Sequence, residues 1–156
     1  MKRLIPFSFL LLSLGACSPP TEMYNYISED NESWSFDWES KGCMGTCAIY
    51  RARMDGNILR FRGMRNTQFQ GDTLIANQKA FNDSLAMQLQ QLKFMGLDSL
   101  YQVDESADGP QYVYRFQYRG KDGNFDKKVR SIQNEPKELV ELRRWLNKQL
   151  QKKGLL

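Results

Sequence analysis

Two cysteines, Cys43 and Cys47, are the residues of this chain whose chemistry and spacing are most distinctive. Three residues separate them, and Gly45 in the middle can adopt a positive φ, so the segment can bring both Cα atoms within the ~7 Å that a disulfide requires. We expect a structural disulfide whose short loop adds only about 2 kcal/mol to stability. Redox activity and an unbonded pair remain alternatives, although a strand and not a helix N-terminus is predicted to follow the pair.

The chain contains no histidine. This composition excludes Ser-His-Asp and Cys-His catalysis and any histidine-ligated metal. Two cysteines alone cannot close a tetrahedral zinc site, so we expect no metal and no cofactor. The run from Asp104 to Gly109 resembles the first half of a calcium loop, but Arg115 stands where the bidentate glutamate belongs, and we predict a solvated loop instead. The sequence indicates no catalytic residue and leaves enzymatic activity open.

The N-terminus has the pattern of a bacterial lipoprotein signal. Two basic residues, Lys2 and Arg3, precede an apolar run that ends in Leu14-Gly15-Ala16-Cys17. We expect residues 1–16 to be a signal peptide and the Cys17 thiol to carry the lipid, including palmitate. A membrane-spanning helix is the alternative, but a span needs ~20 apolar residues and this run is shorter. Using Cys17 for lipid leaves an even pair of cysteines in an exported chain.

Residues 17–33 have the composition of a flexible tether, rich in Pro, Ser, Asn and acidic residues. Because Ser18 is not the aspartate that retains lipoproteins in the inner membrane, we expect attachment at the periplasmic face of the outer membrane. Residues 34–153 are long enough for a single domain with its own core. The formal net charge is +4, and Lys2 and Arg3 supply two of those units, so bulk charge gives no support to nucleic-acid binding.

The hydrophobic pattern of this domain predicts an α+β fold. Alternation indicates strands at 34–39, 48–54, 58–62, 112–119 and 124–132, with a further short strand around Thr67 to Leu74. Apolar steps of three and four residues indicate one helix between Asn77 and Met95, capped by Gly96, and a closing helix after Pro136. We expect an antiparallel sheet of two hairpins plus an N-terminal strand, with both helices packed on one face.

Three sets of strand residues are candidates for binding. An arginine strip on the first hairpin could meet an acidic partner or lipid headgroups, or could be a solvated face balanced by acids. Its members are Arg51, Arg53, Arg60, Arg62 and Arg65. Asp37 and Glu39 could form an acid pair, but the wet side of a sheet is favoured. The tyrosines 112, 114 and 118 would suit a glycan or peptide platform if exposed, although such a face is usually turned to the core.

Several of these segments together resemble a bacterial family known as domain of unknown function 6438. They are Cys43-Met44-Gly45-Thr46-Cys47-Ala48-Ile49-Tyr50, the Asp55-Gly56 turn, Phe94-Met95-Gly96-Leu97 and the closing run from Pro136 to Leu142. The resemblance spans about Trp34 to Leu150 and implies a family signature of Cys43, Gly45, Cys47 and Tyr50. Ala48 stands where members usually have proline. The resemblance implies no reaction and no catalytic role for any residue.

These observations favour a lipid-anchored protein of the bacterial cell envelope that works as a binding or interaction module. We expect it to meet the membrane through its N-terminal lipid, and an envelope protein, a glycan or a peptide through its domain. A thiol-disulfide enzyme using Cys43 and Cys47 is one alternative. A small hydrolase inhibitor is another. The sequence does not identify the ligand or the oligomeric state.

Overall fold

A computed structural model of the chain describes residues 34–43, 45–102, 109–120, 123–132 and 134–156. They form seven strands and two α-helices. The strands are β1 (Trp34–Ser40), β2 (Ile49–Asp55), β3 (Ile58–Arg65), β4 (Gly71–Ile75), β5 (Leu100–Gln102), β6 (Gln111–Gly120) and β7 (Gly123–Ile132). The helices are α1 (Lys79–Gln91) and α2 (Lys137–Lys152), and a short 3-10 turn covers Phe94–Gly96.

The seven strands form one sheet with the order β4-β3-β2-β1-β6-β7-β5. Strand β1 lies at its centre, between β2 and β6. Its residues Trp34, Phe36 and Trp38 are at most 2% exposed, and the polar residues between them point to the opposite face. The prediction of a mixed α and β domain with two helices is confirmed. The prediction of an antiparallel sheet is wrong in one place, since β5 pairs parallel to β7.

The first hairpin is built as the sequence predicts. Asp55 pairs with Ile58, so Gly56 and Asn57 form a two-residue loop, and Gly56 has a φ of 54°. The second hairpin closes where Gly120 pairs with Gly123. The short strand predicted from Thr67 begins only at Gly71, whose φ of 100° turns the chain into β4.

Helix α1 ends earlier than predicted, and Gly96 is not its cap. The left-handed residue is Lys93, with a φ of 51°, and the chain then makes the 3-10 turn. This early turn brings Phe94 under the sheet, where it is fully buried. Its ring packs edge-to-face with that of Phe36, with the two ring centroids 5.5 Å apart. Burying that aromatic ring offsets the cost of a left-handed lysine.

The core lies between one face of the sheet and the two helices. Helix α1 contributes Phe81, Leu85 and Leu89, which recur every four residues. Helix α2 contributes four leucines at helical spacing: Leu139, Leu142, Leu146 and Leu150. Trp38 packs edge-on against Phe81, so the central strand contacts the first helix directly. The opposite face of the sheet carries no described helix and is called the open face below.

Candidate functional site

Two rows of mostly charged residues run across the open face, because the strand registers place the polar positions of six strands side by side. In the Glu39 row the order of neighbours is Arg130, Val113, Glu39, Arg51, Arg62 and Asp72. In the Asp37 row it is Lys128, Arg115, Asp37, Arg53, Arg60 and Leu74. Basic side chains outnumber acidic ones in both rows, so the face is a cationic surface with acids embedded in it.

Most arginines of the two rows are paired with carboxylates. Arg51 contacts Glu39 at 3.3 Å, and Arg62 holds Asp72 in a two-point contact with distances of 2.5 and 2.9 Å. This fork geometry is the strong form of the arginine–carboxylate hydrogen bond. Arg62 lowers the pKa of the Asp72 carboxyl through that hydrogen bond. The predicted arginine strip is therefore largely balanced by acids.

In the Asp37 row, two arginines are likewise paired with neighbouring acids. Arg53 donates to Asp37 at 3.1 Å and to Asp55 at 3.4 Å. Arg115 makes a two-point contact with Asp126. Burial raises the pKa of Asp37 in spite of the opposing charge of Arg53. The anticipated acid pair of Asp37 and Glu39 thus serves as the partner of two arginines on the wet side of the sheet.

Arg60 differs from its neighbours. It directly faces Arg53 on one side and Leu74 on the other, and among the described residues it has no carboxylate partner. In the Glu39 row the position equivalent to Leu74 is Asp72, which binds Arg62. Leu74 leaves its side chain exposed and offers Arg60 no hydrogen-bond acceptor.

A depression of about 840 Å³ lies over this part of the open face. It is lined by Asp37, Arg51, Arg53, Arg60, Phe61, Arg62, Asp72, Thr73 and Leu74. A smaller one of about 220 Å³ adjoins it above Asp37, Glu39 and Arg115. The two share Asp37, Arg51 and Arg53, so the charged rows form one continuous concave surface.

The tyrosine face of β6 is turned mostly to the core. Tyr114 and Tyr118 are at most 5% exposed, and Tyr112 is half-buried. The Tyr114 hydroxyl donates to Glu135 at 2.8 Å, and Arg143 donates from Nε to the other oxygen of the same carboxylate at 2.8 Å. The Arg143 guanidinium also stacks on the ring of Tyr112 at 4.4 Å. This cluster attaches the start of α2 to the sheet.

The predicted disulfide is present in the structure. Cys43 and Cys47 are bonded with their Cα atoms 5.8 Å apart, and Gly45 between them has a φ of 139°. Arg65 donates to the carbonyl of Cys43 at 3.4 Å and Asn66 to that of Cys47 at 3.2 Å. These contacts fix the disulfide loop to the end of β3, beside the open face.

Tyr50, the last residue of the signature, connects this end of the sheet to the helix. Its hydroxyl donates to Oδ1 of Asn147 on α2 at 2.5 Å, and its ring stacks on Phe61. Burial raises the pKa of the Tyr50 hydroxyl far above its ordinary value. The role of Tyr50 is therefore in packing, which the sequence pattern alone did not indicate.

Several predicted features lie outside the described residues. They are the leader with Cys17, the tether at 17–33, and residues 104–108 of the calcium-like segment. Within the described ranges no group of His, Cys, Asp and Glu side chains is arranged to hold a metal ion. Neither of the helices described has the length and apolar character that crossing a bilayer requires.

Arg115, Lys128 and Arg130 are members of the charged rows that the sequence did not reveal. Each lies at least fifty positions after the end of the arginine hairpin, and only the pairing of β1 with β6 brings them to the same face. Alternation of charged and apolar residues in β6 was the available signal, and it identified a strand without identifying its neighbours.

Fold and site together define a class: a small α+β domain with one helix-covered sheet, a disulfide-closed loop between its first two strands, and a cationic open face. The family model described as a domain of unknown function (DUF6438) matches residues 35–150, and the chain belongs to that family. No curated protein and no solved structure matches the chain.

Proposed function

We propose that this chain is a lipid-anchored protein of the bacterial envelope and that its domain is a binding module whose contact surface is the open face of the sheet. The observation that carries the binding role is the Arg60 position, where a cation lies beside an exposed leucine and has no carboxylate partner among the described residues. The other arginines that line the same depression are each paired with an acid of the domain. An arginine left in this state is suited to an anionic partner from outside the domain.

The anchor part of the proposal rests on residues 1–17. The order Leu14-Gly15-Ala16-Cys17 after a basic and apolar leader is what lipid attachment needs. Two or more acyl chains hold a protein stably on a bilayer, whereas one chain of myristoyl length holds only marginally. The Cys43–Cys47 disulfide supports export, because disulfides persist in oxidising compartments.

Mass spectrometry of the mature N-terminus tests the anchor. The full chain, expressed in a bacterium with its own leader, should begin at Cys17 and carry the mass of attached acyl chains, and it should sediment with membranes. The Cys17→Ser variant should lose both properties. An unmodified N-terminus, or a cytosolic protein that still carries its leader, would contradict the anchor without bearing on the open face.

Thiol–disulfide exchange is the second candidate, because both cysteines of the bonded pair are only half-buried. A reactive pair needs a thiolate of lowered pKa, which a helix N-terminus usually provides. In this chain strand β2 follows the pair. Reduction by glutathione mixtures of defined potential separates the candidates: a pair that stays oxidised at about −250 mV supports a structural role, and one that cycles near −180 mV supports exchange.

A further inference from the structure

We propose that Arg60 anchors a docking site for an acidic segment of a partner protein, with one carboxylate of that segment taking the place that Leu74 leaves without an acid. The inference rests on the proposed binding role of the open face and names the chemistry of its partner. It concerns the concave part of that face, lined by Arg53, Arg60, Arg62 and Leu74.

The domain contains its own template for the contact. Arg62 lies two residues after Arg60 on β3, and Asp72 lies directly opposite it on β4. The two side chains are joined by two hydrogen bonds of 2.5 and 2.9 Å. Arg60 and Leu74 occupy the equivalent positions in the neighbouring row. A planar guanidinium presents its donors in a fork that fits a carboxylate, so a partner's Asp or Glu above Leu74 could repeat the Arg62–Asp72 geometry.

The missing counterion of Arg60 supports the same conclusion. Arg60 faces Arg53 across the β2–β3 ladder, and Arg53 is already paired with two acids: Asp37 on β1, and Asp55, which lies on β2 opposite Ile58. Among the described residues neither acid makes an ion pair with Arg60. A partner's carboxylate beside Arg60 would give this guanidinium the counterion that Arg53 already has within the domain.

Exposed apolar side chains next to Arg60 favour a protein partner. Leu74 is 63% exposed and Ile58, also on the open face, is 37% exposed. A polypeptide can place an apolar side chain on these two residues while its carboxylate reaches Arg60. An array of phosphates would instead require several unoccupied cations, and the other arginines lining this depression already hold carboxylates.

Peptide binding to the full chain in detergent micelles tests the proposal. The probe is a fluorescent eight-residue peptide that alternates glutamate with leucine, and the control peptide alternates glutamine with leucine. The first should bind and the second should not, with binding weakened by salt. Arg60→Gln should weaken binding at least tenfold, because a bidentate contact is lost. Arg144→Gln, which removes an equal charge from an exposed position of α2, should change it less than twofold.

Leu74→Asp provides a test that does not depend on the choice of peptide. It supplies the missing carboxylate from within the domain, so it should raise the urea midpoint of unfolding and abolish binding of the glutamate peptide. The gain in stability should vanish when Arg60→Gln is combined with it, since the two changes are coupled through one contact.

The proposal is overturned by equal affinity for both peptides, by unchanged affinity in Arg60→Gln, or by a Leu74→Asp variant whose stability does not depend on Arg60. Binding to phosphatidylglycerol vesicles in an Arg60-dependent manner, without peptide binding, would identify a lipid-headgroup surface and also reject a protein partner. Cys17→Ser should leave peptide binding unchanged. A failure of peptide binding can therefore be distinguished from a failure of lipid attachment.

Discussion

The Tyr114 hydroxyl and the Glu135 carboxylate meet at 2.8 Å beneath the sheet, where Tyr114 is 1% exposed and the Glu135 side chain 6%. The second carboxylate oxygen accepts from Arg143. The Glu135 carboxylate thus accepts hydrogen bonds from a strand residue and a helix residue at the same time. Without this contact, both donors would lie in a poorly hydrated place, where an unpaired polar group is costly.

Removal of Glu135 should be among the most damaging single changes to this domain. Glu135→Ala leaves the Arg143 cation without its counterion and the Tyr114 hydroxyl without its acceptor, and breaking such a pair costs about 3 kcal/mol. Urea unfolding followed by circular dichroism gives the measurement. The control is Glu141→Ala, which removes an exposed partner of Lys137 at 3.9 Å and should cost at most about 0.5 kcal/mol. Equal losses of unfolding free energy in the two variants would show that the contacts of Glu135 with Tyr114 and Arg143 stabilise the domain no more than an exposed ion pair does.

Alkaline pH should destabilise the domain through Tyr114. Burial, the Glu135 charge and the hydrogen bond to Glu135 all raise the pKa of this hydroxyl well above its ordinary value. The folded state therefore keeps the proton at a pH where the unfolded chain, with an ordinary tyrosine pKa of about 10, releases it. The stabilising contribution is complete below pH 10 and is lost as the pH rises beyond that value.

In Tyr114→Phe this source of alkaline sensitivity is absent. Its free energy of unfolding should fall less steeply than that of the parent between pH 9.5 and about 11.5, and the two curves should run parallel from pH 7 to 8.5. Urea titrations at each pH measure the difference, in which the lysines common to both proteins cancel. Curves that stay parallel to the highest pH would mean that the Tyr114 proton is no harder to remove in the folded state.

Strand β1 and the 3-10 turn show what local sequence predicts and where it stops. The Trp-Ser-Phe-Asp-Trp-Glu alternation of β1 is sufficient to identify a half-buried strand, because each residue's face follows from its position in the pleat. The end of α1 depends instead on where Phe94 can be buried against Phe36, a contact between segments fifty-eight residues apart. Likewise β5 has three residues, and only its parallel pairing with β7 makes it a strand.

Only part of the candidate site could be predicted from the sequence. The Arg51–Arg62 and Arg53–Arg60 neighbours follow from the Gly56-Asn57 turn, because a two-residue loop fixes the register of its hairpin. The acids Asp37 and Glu39 and the contributions of β6 and β7 required the order of strands in the sheet, which no local pattern contains. The placement of Leu74 opposite Arg60, and of Asp72 opposite Arg62, depends on the register of β3 with β4, whose connecting loop has no turn signal that fixes it.

Gly63 should tolerate no side chain. A Cβ at this position would lie 1.9 Å from the carbonyl oxygen of Phe69 and 2.5 Å from Oγ1 of Thr67. The loop between β3 and β4 would have to move, so Gly63→Ala should cost at least about 2 kcal/mol. Gly96→Ala is the matched control, because nothing lies within 4 Å of its added carbon and its φ is not left-handed. Thermal unfolding distinguishes the two, and a Gly63→Ala protein as stable as Gly96→Ala would show that this loop is free to shift.

The disulfide should stabilise the domain modestly and leave its fold intact when broken. Cys43 and Cys47 enclose a loop so short that closing it restricts the unfolded chain by only about 2 kcal/mol. The double variant Cys43→Ser/Cys47→Ser should lose that amount in urea unfolding, and the parent treated with dithiothreitol should lose the same. The loop keeps its attachment through Arg65, Asn66 and the 2.7 Å hydrogen bond from Ser40 to the carbonyl of Ala48, so the near-ultraviolet spectrum of the buried tryptophans should not change. Complete unfolding of the double variant would assign the disulfide a far larger structural role than its loop length allows.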